Sequence, residues 1–320
     1  MERPTKTAMS DLKIIVTGAG GLIGSHAVKV LCEKEYRVIA LHRRLDQPRI
    51  SHDVVQGDLL SDSVLHTLSP ITFDLIVHCA AVLPSRSCGD ADQAAKSNLA
   101  MDERILRVCM DRGCHLVYLS GTSVYGGRIE RALDEESEVS PVGPYLKAKV
   151  QSEKRILDEI PEASTILRVS APYGPGQRSR TVLRVFIERA LAGLDLIYHG
   201  TGKRQQDFIA ACDVGNAVLC AVRNTQAHGI FNIAGGKPIS MHDLADVVLR
   251  TISGARGRVV PSGLPDPQEN EAATFDISKA RRKLGWSPTV TLEEGIRLWA
   301  EYLRKNNRHR GNGSCRGKSF

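Results

Sequence analysis

Apolar residues in the first half of the chain recur in two alternating patterns. Short β-branched runs at 12–17, 37–41, 53–56, 75–78, 115–120 and 164–169 predict strands. Between them the apolar positions fall at helical spacing. A helix is predicted over 22–34, with Ile23, Ala27, Val30 and Leu31 on one face, and others over 91–112 and 145–159. Nearly continuous apolar strands separated by helices specify an α/β fold, a doubly wound parallel sheet covered on both faces. Such a sheet gathers ligands at the carboxyl ends of its strands, so the loops after Thr17, Leu41, His78 and Ser120 are expected to converge.

Beyond Tyr173 the punctuation changes. Gly174-Pro175-Gly176 breaks the alternation, and a basic stretch follows. Helices are predicted near 213–223, 240–251 and 291–303, with a strand at 230–233. The last helix opens on a capping box, Thr291 with Glu294, and carries Leu292, Ile296, Trp299 and Leu303 on one stripe. No internal repeat is visible. The expected organisation is a polar N-terminal tail at 1–10 and a dinucleotide-binding (Rossmann) domain at 11–172 with return segments near 207–235. A smaller, interleaved substrate lobe takes 173–206 and 236–304, and a basic disordered tail takes 305–320.

Composition narrows the setting. The 320 residues are 42% hydrophobic and 25% charged, ordinary for a globular protein with a sizeable core. No run approaches the roughly 18 apolar residues that span a bilayer, and the polar N-terminus lacks a signal-peptide core. None of the eight cysteines forms a CxxC pair, and Cys79, Cys109, Cys212 and Cys220 sit among apolar neighbours. A reducing cytoplasmic setting is expected, without disulfides or a metal site. The net charge of +7 raises nucleic acid as a partner, but Arg304, Lys305, Arg308, Arg310, Arg316 and Lys318 concentrate much of it at the C-terminal end. That end reads as a solvated tail, so neither nucleic acid nor membrane is the expected partner.

Candidate chemistry begins between the first strand and first helix. Gly18, Gly21 and Gly24 stand there at a spacing of three, with Leu22 and Ile23 opening the helix. Glycine permits a tight turn and close approach of backbone to a pyrophosphate, and a helix start offers free N–H groups to it. At the end of the second strand, where an acid holds the ribose 2′-hydroxyl of NAD, the chain has His42, Arg43 and Arg44. A guanidinium binds a 2′-phosphate bidentately, which favours NADP(H) over NAD(H); as solvated loop charges the two arginines would carry no such preference. Asp58, in Gly57-Asp58-Leu59 after the third strand, is placed near an adenine or is a generic loop acid.

Further motifs follow in order: His78-Cys79-Ala80-Ala81, Asn98, Val124-Tyr125-Gly126, Tyr145-Leu146-Lys147-Ala148-Lys149, Tyr173-Gly174-Pro175-Gly176, and 276–286. In this order the chain resembles the extended short-chain dehydrogenase/reductase family, in its NAD-dependent epimerase/dehydratase, sugar-nucleotide-modifying branch. The likeness runs from about Leu12 to Tyr302. It implies cofactor contacts from Leu59, Cys79, Ala80, Ala81 and Asn98, and a homodimer built on the helices at 91–112 and 145–159.

Tyr145 and Lys149 are the expected catalytic pair. Four residues apart, they share one helical face, and none of the other six tyrosines has a lysine at that spacing. A lysine and a positive nicotinamide lower a tyrosine from about 10 toward neutrality, which makes it an acid/base catalyst. The resemblance implies that Lys149 also holds the nicotinamide ribose. Its third catalytic position, a Ser or Thr three residues before Val124, is Gly121 here, so Thr122 or Ser120 is expected to supply the hydroxyl. Thr122-Ser123 stands where the branch's dehydratases carry Asp-Glu, which disfavours water elimination.

The resemblance also implies arginines that clamp a diphosphate. One position is Gln206, in Gln206-Asp207-Phe208, with Arg204 as a substitute two residues earlier. The loop at 261–272 offers no arginine, Ala171 replaces the usual Asn, and Arg178, Arg180 and Arg184 form another candidate anion site. Hydride transfer at C4 of a nucleotide sugar, as 4-epimerase or 4-ketoreductase, is the expected function. Alternatives are a dehydrogenase or reductase of a small non-nucleotide carbonyl compound, and an NAD(P)-binding regulatory protein with weakened catalysis.

Overall fold

In a computed structural model, described over residues 12–43, 53–84 and 91–313, the expected strands form one parallel sheet. Its members are β1 (Lys13–Thr17), β2 (Arg37–His42), β3 (Asp53–Gln56), β4 (Leu75–His78), β5 (His115–Gly121), β7 (Ser164–Val169) and β11 (Gly229–Ile233), with β6 (Arg128–Leu133) outside it. They lie in the order β3-β2-β1-β4-β5-β7-β11. Strand order reverses between β1 and β4, which opens the crevice where an α/β sheet receives its ligand.

Side chains alternate across the sheet, and each set meets its own helices. Val16, Val38, Val77, Val117 and Leu167 pack with Ala27, Val28 and Leu31 of α1 (Leu22–Glu33) and Val214, Ala217 and Val218 of α6 (Ala211–Arg223). Ile15, Ile39, Ile76, Tyr118 and Ile166 face the other way, against Ile105 and Leu106 of α3 (Ala91–Arg112) and Ile156 of α4 (Gly143–Glu159). Thr17, His78 and Ser120 are in phase with this second set, so the polar ends of β1, β4 and β5 point toward α3 and α4.

A third core lies over the C-terminal half. Leu183, Phe186 and Ile187 of α5 (Val182–Leu191) meet Leu244 and Val248 of α7 (Met241–Thr251) and Ile296 and Trp299 of α8 (Leu292–Gly313). The capping box at α8 forms, with Glu294 N–H on Thr291 Oγ1 at 3.2 Å. α8 continues to Gly313, so the segment expected as a disordered tail from 305 starts as helix instead, an extension of the same chain of backbone hydrogen bonds. Small sheets join the halves: β8 (Ala171–Tyr173), β10 (Gln205–Ala210) and β12 (Pro238–Ser240) in one, β9 (Leu196–Tyr198) with β13 (Val259–Pro261), and β6 with β14 (Ala272–Phe275). α2 (Ser63–Leu68), α5 and these strands were not expected; β8, β9, β12 and β13, at three residues each, are too short to show alternation, and arginines crowd the start of α5.

Candidate active site

The turn after β1 is built as a phosphate seat. Gly18 has φ +61, and a Cβ there would lie 2.7 Å from the backbone of Ala80. A Cβ on Gly24 would strike the Gly18 carbonyl oxygen, so both glycines are required by contact with backbone. α1 begins at Leu22 without a side-chain cap at Gly21 and with no acid in its first turn. Its first N–H groups and positive dipole end are therefore free for a pyrophosphate, and a dinucleotide fits this seat. Cys79 and Ala80 wall it from β4: Cys79 N–H donates to Thr17 O at 3.3 Å and Ala80 N–H to Thr17 Oγ1 at 3.2 Å. Burial pushes the Cys79 thiol up to about 12, against the pull of Lys149, so it is a wall and not a nucleophile.

The residues expected to meet the adenosine ribose close β2. His42 is buried, its pKa lowered by burial, while Arg43 is exposed beside it; Arg44 falls outside the described residues. Asp58 spends Oδ1 on the Leu60 N–H at 3.0 Å, and Leu59 is buried. Asn98 is committed to the loop after β4, accepting from Val82 N–H at 2.8 Å and donating to Val82 O at 2.9 Å. Its amide shapes the wall past the exposed Ala81.

Tyr145 sits on the first turn of α4 behind Pro144, whose missing N–H costs nothing there. Burial, and after it the charge of Asp102, pushes Tyr145 up to about 12. Lys149, one turn on and buried, donates to Tyr118 Oη at 2.9 Å and to Leu119 O at 3.3 Å, with Nζ 3.9 Å from Asp102 Oδ2. Tyr118 and Ser152 donate to Asp102 Oδ2 at 2.6 and 2.7 Å, and His78 Nε2 lies 2.9 Å from Oδ1. Burial alone would raise Asp102; Lys149, His78 and Tyr118 override it and hold the carboxyl down to about 2. Burial first, and the Asp102 charge after it, thus move Tyr145 opposite to the lowering expected from Lys149.

Ser120 is one candidate for the missing hydroxyl. In phase with Tyr118 on β5, it points to the Lys149 side, and its buried Oγ has no hydrogen-bond partner among the described residues. Thr122 is buried in the turn that follows. Gly121 is extended, at φ −139 and ψ 145, and a Cβ there meets only Val169 O at 3.7 Å.

The profile of the NAD dependent epimerase/dehydratase family matches residues 14–234. The chain belongs to this family. A Methanocaldococcus jannaschii protein provisionally named a UDP-glucose 4-epimerase is 30% identical, over 92% of this chain and 99% of its own. The dTDP-D-glucose 4,6-dehydratase of Mus musculus is 26% identical over 92% and 89%. The crystal structure of UDP-glucose 4-epimerase from Thermotoga maritima with UDP-glucose superposes with a TM-score of 0.83, at 27% identity, over 92% of this chain and 100% of that one. Membership makes the protein an NAD-dependent enzyme of the epimerase, dehydratase and reductase group.

The substrate side of this epimerase/dehydratase-family site departs from expectation. Arg204 Nε lies 2.9 Å from Asp266 Oδ2, and its Nη1 donates to Gln268 at 3.2 Å, so the loop at 261–272 returns an acid to the guanidinium. Gln206 is half-buried and pairs with Ile239 in the β10–β12 ladder. Its neighbour Asp207 is a staple, accepting from Ser170 Oγ and from Gly235 and Gly236 N–H. Arg180 is 74% exposed and reaches only Glu188, at 4.0 Å, while Arg184 is bound to Glu188 at 2.7 Å. No arginine among these points unpaired into the crevice. What the sequence reading missed is Asp102, Tyr118 and Ser152; the signal was a polar residue at Asp102, one turn after Asn98, inside the buried stripe of α3.

Proposed function

We propose that the protein interconverts epimers at C4 of a nucleoside-diphosphate sugar by hydride transfer. The observation that carries this is a glycine-built dinucleotide seat joined, on α4, by the Tyr145–Lys149 pair, in a chain similar to UDP-glucose 4-epimerases over nearly its full length. A bound nicotinamide supplies the hydride acceptor and donor. Gly18, Gly21 and the first turn of α1 would hold its pyrophosphate, and Lys149 its ribose. Tyr145 removes the proton of the sugar hydroxyl as the hydride leaves and returns it in the reverse step. Ser120 Oγ orients that hydroxyl. Held up to about 12 without cofactor, Tyr145 is a phenol at neutral pH and becomes a base only when positive charge arrives beside it.

Thr122-Ser123 offers no carboxylate after β5, which separates this chain from the elimination chemistry named for its dehydratase relatives. Incubation with UDP-glucose and chromatography for UDP-galactose tests the reading. The Arg204–Asp266 pair favours one second reading, a reductase of a small uncharged carbonyl compound; NADPH consumed by such a ketone, with no epimer formed, would establish it.

Gly121→Ser is expected to fold normally, since its Cβ makes only an ordinary van der Waals contact with Val169 O at 3.7 Å, and to raise turnover about tenfold by adding a hydroxyl donor. Ser120→Ala in the same assay lowers turnover without lowering Tm, because no partner is lost. An unchanged rate for both would remove β5 from substrate binding.

At the adenosine ribose, the absence of an acid among the described residues closing β2 supports acceptance of NADP(H). Arg43→Glu is expected to raise the calorimetric Kd for NADP+ about tenfold relative to that for NAD+; a constant ratio would make Arg43 a solvated charge. A homodimer through the exposed faces of α3 and α4 is part of this proposal, and light scattering in solution checks it.

A further inference from the structure

The Asp102 cluster contains more than acid/base catalysis at Tyr145 requires. Burying a carboxylate is costly unless paired and hydrogen-bonded, and an apolar residue would fill the same space with less penalty. Asp102 is nonetheless buried on α3, with both oxygens committed: Oδ2 to Tyr118 and Ser152, Oδ1 to His78. Two chains lead away from it. Through Tyr118, one reaches Lys149, whose ammonium spends two of its three N–H donors on β5, at Tyr118 Oη and Leu119 O.

The other chain runs through His78, whose Nδ1 lies 2.6 Å from Thr17 Oγ1. Thr17 precedes Gly18 of the phosphate turn, and its hydroxyl oxygen accepts the Ala80 N–H from the opposite wall. Asp102 therefore touches, through one intermediary each, the lysine that faces the nicotinamide end and the two loops that form the phosphate end.

We propose that Asp102 is a positioning residue of the active site: it aims Lys149 through Tyr118 and braces the cofactor seat through His78 and Thr17. The inference rests on Tyr145 and Lys149 being the catalytic pair. Asp102 also sets the electrostatics of that pair. The ionisable groups around it are Lys149 on α4, Tyr118 on β5 and His78 on β4, and its negative charge opposes ionisation of Tyr145. Removing the charge leaves the lysine cation uncompensated beside the tyrosine.

Asp102→Asn and Tyr118→Phe, each in the full chain, separate positioning from packing. Two readouts need no substrate: ultraviolet titration of tyrosinate in the NAD+ complex, with a Tyr145→Phe protein subtracted, and calorimetric Kd for NAD+. Asp102→Asn is expected to lower the Tyr145 midpoint by about one pH unit and to raise the NAD+ Kd about tenfold. Tyr118→Phe keeps the charge, so it raises the Kd similarly without lowering the midpoint. An Asp102→Asn protein that melts earlier yet keeps the wild-type midpoint and Kd would overturn the proposal. If that variant does not fold, Tyr118→Phe decides, and an unchanged Kd overturns it. A wild-type complex with no Tyr145-dependent titration would instead count against the catalytic pair, while the two Kd values still judge Asp102.

Discussion

Tyr145→Phe is expected to lower turnover about 1,000-fold while leaving Tm and cofactor affinity close to the wild type. In the proposed reaction the phenol oxygen exchanges the substrate proton, so its removal acts on the transition state and lowers kcat and kcat/KM together. The ring stays, and with it the packing at the start of α4. Lys149→Met should behave differently. Its Nζ is the buried cation nearest Asp102, so the substitution strands a carboxylate that is held down to about 2. Losing one partner of a buried pair costs about 3 kcal/mol, and here the three hydrogen bonds to Asp102 keep the loss from growing. A depressed Asp pKa contributes stability above its unfolded value near 4 and loses it as pH falls toward 2. In Lys149→Met that acid limb moves upward, and thermal melts between pH 3 and pH 6, values on the order of the carboxylate range, record it. Tyr145→Phe leaves the limb in place. Equal destabilisation by both variants would contradict the assignment of distinct roles.

The second large effect is expected at Gly24. The phosphate turn folds back so closely that a methyl group at this position meets the Gly18 carbonyl oxygen, an atom of backbone that cannot rotate away. Gly24→Ala therefore pushes the start of α1 off β1, at an overpacking cost of about 1–3 kcal/mol. The same displacement turns the first N–H groups of α1 away from the pyrophosphate, so NAD+ binding falls by about 100-fold or more. Calorimetric titration with NAD+ and a thermal melt measure the two effects on one sample. Normal affinity in the variant would show that the turn does not seat the dinucleotide. Gly121→Ser, where the added Cβ makes only an ordinary van der Waals contact, is the internal control for glycine replacement as such.

The parts of this molecule legible in its sequence are those set by local periodicity. Ile14, Ile15 and Val16 on β1, and the matched runs of β2, β4, β5 and β7, are apolar on both faces because helices cover both faces of the sheet. Tyr145 and Lys149 are legible because a helix brings residues four apart together. Asp102 was not. Its partners lie 16, 24 and 50 residues away in the chain, on β5, β4 and α4, and only the folded sheet joins them. Arg204 was read as a free cation for a diphosphate because nothing local to it shows that Asp266, far along the chain, returns to pair with it. The short strands β9, β12 and β13 were invisible for a related reason, since three residues cannot display a period of two.

In the proposed reaction Tyr145 works on C4 of a nucleotide sugar whose hydride returns within the same active site. The most direct test is to incubate the purified protein with UDP-glucose deuterated at C4 and to follow the label by NMR and mass spectrometry. The expected product is UDP-galactose carrying the deuterium at C4, with none in free nicotinamide nucleotide. Deuterium released into free NADH or NADPH, or no epimer at all from a protein that reduces an uncharged ketone, would contradict it.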